Sequence, residues 1–127
     1  MANTDRLLRF ALRLDGVASA GLGLLTLPFG TALGLPSPVA LGLGAFLVAY
    51  GAGVFLVGTR PVVNRTVVKV VVLGNVLWAV DSALTVELGW FPLTTAGVVL
   101  VVLQAVAVAG FAALQVFGLN AAARVDA

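Results

Sequence analysis

The sequence contains no cysteine and no histidine. Their absence excludes disulfides, thiol redox chemistry, metal ligation by thiolate or imidazole, haem ligation by histidine, and nucleophiles that a histidine activates. We therefore expect no cofactor, no metal and no enzymatic activity. A lipid-modifying enzyme would have to depend on Asp81 or Asp15 alone.

Charge is scarce as well. Charged residues make up 9% of the 127 residues and hydrophobic residues 61%, and the mean hydropathy is +1.17. Soluble domains carry about 25% charged and about 45–50% apolar residues, so this composition predicts a chain that lies mostly in lipid. The net charge of +2 provides no basic patch for nucleic acid, which leaves membrane lipids and membrane proteins as the expected partners.

Isoleucine is absent and lysine occurs once, at Lys69. This usage is typical of genomes rich in G and C, and it favours a bacterial source and a place in the cytoplasmic (inner) membrane.

Four apolar segments, each about 20 residues long, have the length that a helix needs to cross roughly 30 Å of hydrocarbon. The connections between them are short and combine proline, glycine or charge, which is typical of helix boundaries. The sequence therefore predicts an all-α, four-helix transmembrane bundle that occupies residues 1–127 as a single domain. The predicted spans are 14–35, 39–58, 67–86 and 93–118.

All seven basic residues fall on one side of this topology. They are Arg6, Arg9 and Arg13 before span one, Arg60, Arg65 and Lys69 between spans two and three, and Arg124 after span four. Because basic residues are enriched in cytoplasmic loops, we expect both termini and the middle loop to lie in the cytoplasm.

Two local features modify span one. Residues 4–13 begin with a plausible N-cap at Thr4 and repeat arginines at helical spacing, which predicts a short amphipathic helix that lies on the inner membrane surface and runs into span one. The same arginines also fit the charged region of a signal peptide, with residues 17–27 as its apolar region. Pro28 predicts a kink or a break near residues 24–28.

Asp81 is the only charged residue well inside a span. A carboxylate at that depth costs about 2.5–3.5 kcal/mol on insertion scales, so we expect it to face the bundle, to have a partner or to be protonated. A polar pocket is expected around it, formed with Asn75, Trp78, Ser82, Tyr50 and Gln104. Such a pocket suits a proton- or cation-linked pathway. Alternatively, these side chains only join helices, at about 0.6 kcal/mol for each hydrogen bond.

Asp15 lies at the predicted inner end of span one, at the same depth as the start of span three. We expect it to form ion pairs there with Arg13, Arg65 and Lys69, which would add little stability in a wet environment.

Small residues recur at four-residue spacing in two spans and allow helix backbones to approach closely. They are Ala45, Ala49 and Gly53 in span two, and Ala105, Ala109 and Ala113 in span four. The spacing fits packing within the monomer and packing in an oligomer equally well. The favoured function is a non-enzymatic, self-associating or accessory membrane subunit, and the alternative is a small transporter or channel centred on Asp81.

Five short segments form a pattern that consists of Leu7-Leu8-Arg9, Ala11-Leu12-Arg13-Leu14-Asp15, Gly34-Leu35-Pro36, Arg60-Pro61 and Asn75-Val76-Leu77-Trp78-Ala79-Val80-Asp81-Ser82. This pattern resembles that of a group of small actinobacterial integral membrane proteins of unassigned function. The resemblance extends over most of the chain. It implies membership of a membrane-protein group and brings no activity with it.

Overall fold

A computed structural model describes the backbone of residues 5–126 and the side chains of residues 5–122. Within that range the chain forms α1 (Arg6–Phe29), a 3-10 helix (Gly30–Leu33), α2 (Ser37–Thr59), α3 (Arg65–Leu88) and α4 (Thr95–Asp126). The four α-helices are all long and apolar enough to cross a membrane. The predicted all-α, four-helix bundle is thereby confirmed.

The bundle consists of two helical hairpins that meet along one seam. α1 packs along α2, α3 packs along α4, and the hairpins are joined chiefly by α1 against α4, whereas α2 and α3 barely touch. One side of the bundle, between α2 and α3, is therefore open. Large apolar side chains such as Leu24, Leu73 and Val106 are exposed on the outer surface, as expected for a protein whose surface contacts lipid chains.

Glycines set the close contact between α1 and α2. Gly16 of α1 faces Gly51 of α2, and Gly23 of α1 faces Gly44 of α2. In each helix the two glycines are seven residues apart. A Cβ added at Gly16 would lie 2.7 Å from the carbonyl oxygen of Gly51, and one at Gly23 would lie 2.6 Å from that of Gly44. The two backbones therefore touch directly, which only the smallest residue permits.

The hydrophobic core lies where α1 begins. Leu8 and Leu12 are fully buried and pack in one cluster with Val54, Val68 and other valines of α2 and α3. Residues 6–13 are thus the first turns of α1. The helix predicted there runs into span one without a break, and its apolar face packs inside the bundle. The amphipathic pattern arises because the apolar face of this segment lies inside the bundle while its arginines point outward.

Arginines of α1 hold the end of α2. Arg9 donates hydrogen bonds to the carbonyl oxygens of Gly58 (3.2 Å), Arg60 (2.6 Å) and Pro61 (2.9 Å), and Arg13 Nε donates to Gly58 (3.2 Å). Positive charge is favourable at a helix C-terminus, where carbonyl groups lack partners. The start of α1, the α2–α3 connection and the end of α4 together form what we call the basic end of the bundle.

The two connections at the opposite end are tied to each other. The Thr94 backbone N–H donates to the Leu33 carbonyl at 3.0 Å, and the Thr94 hydroxyl accepts from Gly97 N–H at 3.1 Å, which caps α4. α1 continues through Pro28 and gives way to the 3-10 helix after Phe29. The α-helix therefore ends one residue after the segment 24–28 where the kink or break is predicted. Pro28 has no N–H to donate to the carbonyl of Leu24, which weakens the last turn of α1.

Candidate functional site

A buried carboxylate lies at the centre of a polar network. Asp15 is fully buried. Its Oδ2 accepts hydrogen bonds from Asn75 Nδ2 and from Gln115 Nε2, both at 2.8 Å, and its Oδ1 accepts from Ser19 Oγ at 3.1 Å. Asp15 thus connects α1 to α3 and to α4.

Asn75 extends this network to the remaining helix. Its Nδ2 also donates to Gln115 Oε1 at 3.1 Å, and its Oδ1 accepts from the Tyr50 hydroxyl at 2.7 Å. All four helices therefore contribute to what we call the Asp15 network, which consists of Asp15, Ser19, Tyr50, Asn75 and Gln115. Among the described residues, no buried side-chain nitrogen or oxygen lacks a hydrogen-bond partner.

The ion pairs predicted for Asp15 with Arg13, Arg65 and Lys69 are contradicted, because its oxygens are bonded to Ser19, Asn75 and Gln115. Arg13 is directed to Gly58, and Lys69 is exposed. The physical reason is the position of Asp15 along α1. α1 begins at Arg6, so Asp15 lies about 13 Å along the helix and not at its end.

A second polar cluster joins α3 to α4. Trp78 Nε1 donates to Gln104 Oε1 at 2.7 Å, and Gln104 Nε2 donates to Ser82 Oγ at 2.9 Å and to the Val101 carbonyl at 2.8 Å. We call Trp78, Ser82 and Gln104 the Gln104 network. The residues predicted to share a single pocket thus belong to two hydrogen-bond networks, with Tyr50 and Asn75 in the Asp15 network. Tyr50, Asn75, Trp78 and Gln104 nevertheless line one cavity.

Aromatic rings bridge the two networks on the open side of the bundle. The Phe46 ring stacks on Tyr50, with centroids 5.9 Å apart, and on Trp78, with centroids 6.2 Å apart. Interplanar angles of 21° and 19° indicate nearly parallel rings. The contact of Phe46 with Trp78 crosses the gap between α2 and α3, as does the hydrogen bond from Tyr50 to Asn75.

Asp81 lies outside both networks. It is exposed on the flank of α3, two turns before the helix ends at Leu88. Within the described part of the chain no hydrogen bond reaches its carboxylate, and the Thr85 hydroxyl donates to its backbone carbonyl at 2.8 Å. The side chain borders a cavity of about 230 Å³, which Val39 and Leu43 of α2 also line. Of the three alternatives expected for Asp81, a hydrogen-bond partner for its carboxylate is not observed among the described residues, and the residue is exposed where it borders this cavity.

A larger cavity of about 520 Å³ lies at the centre of the bundle and is lined by all four helices. Its polar lining consists of Ser19, Tyr50, Asn75, Trp78 and Gln104, and its remaining lining is apolar. It adjoins the smaller cavity, because Trp78 and Gln104 line both. We call the two spaces the central cavity and the outer cavity.

The small residues of α2 point away from the bundle. Ala45, Ala49 and Gly53 are exposed, and a Cβ added at Gly53 would have no neighbour within 4 Å. α2 packs within the monomer through Gly44 and Gly51 instead. On α4, the corresponding series has Ala105 half-buried and Ala109 and Ala113 exposed. The intramolecular alternative is thereby excluded for the small residues of α2.

Sequence reasoning missed two members of the Asp15 network, Ser19 and Gln115. A signal was present for each. Ser19 follows Asp15 by four residues, which places both on one face of α1. Gln115 follows Gln104 by eleven residues, about three helical turns, so the two amides share a face of α4.

The chemistry available in the bundle is hydrogen bonding. The networks contain amides, hydroxyls, an indole N–H and one carboxylate, and the described residues include no group of three or more His, Cys, Asp or Glu that is able to hold a metal ion. Comparison of the chain with protein-family models, with curated proteins and with solved structures finds no match.

Proposed function

We propose that this chain is a non-enzymatic, multi-pass protein of the bacterial cytoplasmic membrane that works as a homodimer, with both termini in the cytoplasm. The observation that carries the proposal is the outward face of α2, where Ala45, Ala49 and Gly53 lie exposed at four-residue spacing. Such a face lets two helices approach until their backbones touch, and this contact drives helix association in lipid.

The occupant that fits this face best is a second copy of the same helix. A twofold axis perpendicular to the membrane brings α2 of one copy parallel to α2 of the other, with the same residues on both sides of the contact. A row of small residues is complementary to itself in this arrangement. A different partner would need a matching row of its own.

The position of Asp81 supports an occupant on this side of the bundle. Its carboxylate is exposed at membrane depth, next to the open gap between α2 and α3. Exposure of a carboxylate to hydrocarbon costs about 2.5–3.5 kcal/mol on insertion scales. A second copy packed on α2 also approaches this flank of α3 and shields Asp81 from lipid.

The substitution Ala49→Leu tests the proposal. Leucine at the centre of the face holds the two α2 helices apart, so we expect about a tenfold loss of dimer affinity, equivalent to about 1.4 kcal/mol. The measurement is energy transfer between two differently labelled preparations in lipid vesicles, as a function of the protein-to-lipid ratio.

The matched control is Ala83→Leu, which adds the same atoms to an exposed alanine of α3. We expect it to leave the transfer curve unchanged. An equal loss of energy transfer in both variants would contradict the dimer. Energy transfer in the wild type that is no higher, at any protein-to-lipid ratio, than random collisions produce would also contradict it.

A second candidate, a small proton- or cation-linked transporter, is favoured by one observation. The outer cavity contains Asp81 and adjoins the central cavity at Trp78 and Gln104, so polar groups follow one another along the bundle. In sealed vesicles with a pH-sensitive dye inside, this function predicts a proton or cation flux that Asp81→Asn abolishes. A flux equal to that of empty vesicles would reject it.

A further inference from the structure

The polar groups that line the central cavity have no hydrogen left to donate to a ligand. The cavity is bordered by five polar side chains, those of Ser19, Tyr50, Asn75, Trp78 and Gln104. Every polar hydrogen on them is already donated within the protein. Ser19 donates to Asp15, Tyr50 to Asn75, and Trp78 to Gln104, while Asn75 and Gln104 each donate both amide hydrogens.

What these groups still offer to a ligand is therefore lone pairs. The hydroxyl oxygens of Ser19 and Tyr50 each have acceptor capacity beyond the hydrogen bond that they donate. A molecule that enters the cavity can form hydrogen bonds there by donating, since accepting would require a donor that the lining does not have. The carboxylate of Asp15 lies directly behind Ser19 and Asn75 and disfavours an anion.

Access to the cavity is from the side. Lining residues from three helices are also exposed on the outer surface of the bundle, among them Val17 (60%), Phe46 (53%) and Leu103 (62%). At this depth the outer surface contacts lipid chains, so a ligand reaches the cavity from within the membrane. Pockets of about 300–1,000 Å³ with a mostly apolar lining and a few convergent polar groups are typical of small-molecule sites.

We propose that the central cavity binds an uncharged, lipophilic alcohol or phenol, whose hydroxyl group donates to Tyr50 or Ser19 and whose apolar body fills the space between α1 and α4. Carboxylates and phosphate-bearing lipids are disfavoured at the site, because they are anions and offer acceptors to a lining that has no free donor. This site does not depend on the dimer proposed above.

Trp78 provides the readout, because its ring lines the cavity. In a Trp90→Phe background it is the single tryptophan. Three bromine-bearing probes are compared for quenching of its fluorescence in detergent: 11-bromo-1-undecanol, the methyl ether of that alcohol, and 11-bromoundecanoate. We expect saturable quenching by the alcohol, with half-saturation at about tenfold lower concentration than for either other probe, the factor expected for one hydrogen bond.

Gly21→Leu tests the location. A Cβ added at Gly21 has no neighbour within 4 Å, and Gly21 lines the cavity, so we expect a leucine there to extend into the cavity. We expect it to abolish saturable quenching, while Gly110→Leu, a control with equal open space outside the lining, preserves it. Equal quenching by all three probes, preferential binding of the carboxylate, or unchanged binding in Gly21→Leu would overturn the proposal.

Discussion

Replacing Gly51 by leucine is expected to separate α1 from α2 and to produce the largest loss of stability of any single substitution considered. A Cβ at this position would lie 2.5 Å from the carbonyl oxygen of Gly16 and directly against the backbone nitrogen of Ala20. The atoms in the way belong to a helix backbone and cannot rotate aside. Overpacking costs about 1–3 kcal/mol where side chains yield, so we expect about 3 kcal/mol or more here.

The measurement is unfolding in mixed micelles by titration with a denaturing detergent, followed by circular dichroism. Gly110→Leu is the matched control, because a Cβ added at Gly110 has no neighbour within 4 Å. We expect it to change the free energy of unfolding by no more than about 0.5 kcal/mol. If Gly51→Leu unfolds at the same detergent fraction as Gly110→Leu, the direct backbone contact between α1 and α2 is wrong.

The second large loss of stability is expected on substitution of Asn75. Replacing it by leucine removes the hydrogen bonds to Asp15, Gln115 and Tyr50 and leaves a buried carboxylate with fewer donors. A buried polar group left without its partner costs about 1–3 kcal/mol, whereas the average hydrogen bond in a membrane contributes about 0.6 kcal/mol. We expect a loss of about 2–4 kcal/mol, because several partners are affected at once.

A double-mutant cycle separates the network from the cost of changing one residue. Asp15→Ala, Asn75→Ala and the double variant are compared with the wild type by the same titration. Once one partner is removed, the other has less to lose, so we expect a coupling energy of about 1–3 kcal/mol. Additive losses would mean that the hydrogen bond between Asp15 and Asn75 contributes no coupling to stability.

Sequence reasoning predicted the helices well because length and apolar composition determine them. The four spans and their three connections follow from apolar runs of about 20 residues interrupted by proline, glycine or charge. Errors occurred where a helix continues into polar sequence. α1 begins at Arg6 because Leu8 and Leu12 are buried, and periodicity alone does not tell a helix on a membrane surface from one that packs inside a bundle.

That one boundary decided the interpretation of Asp15. With span one beginning near residue 14, Asp15 lies at the membrane surface beside Arg13 and Lys69. With α1 beginning at Arg6, it lies in the middle of the bundle opposite Asn75. Depth in a membrane protein therefore depends on where the helix starts, and a shift of eight residues moves a side chain by about 12 Å.

The packing of α2 shows a second feature that could not be predicted from the sequence, namely which face of a helix contacts its neighbour. The helix carries two rows of small residues, one at seven-residue spacing through Gly44 and Gly51, and one at four-residue spacing through Ala45, Ala49 and Gly53. Both rows permit close helix contact, and the sequence does not say which one faces α1. The structure assigns the first row to α1 and leaves the second exposed.

The proposed dimer joins two copies of the chain through the exposed row of α2, and native mass spectrometry counts the copies. Protein extracted gently from its host's own membranes is ionised as an intact complex, and the measurement reports how many copies and which partners it contains. We expect a mass of two copies for the wild type and for Ala83→Leu, and a clearly larger share of single copies for Ala49→Leu. A single copy in the wild type, or a stable complex with a different protein, would contradict it.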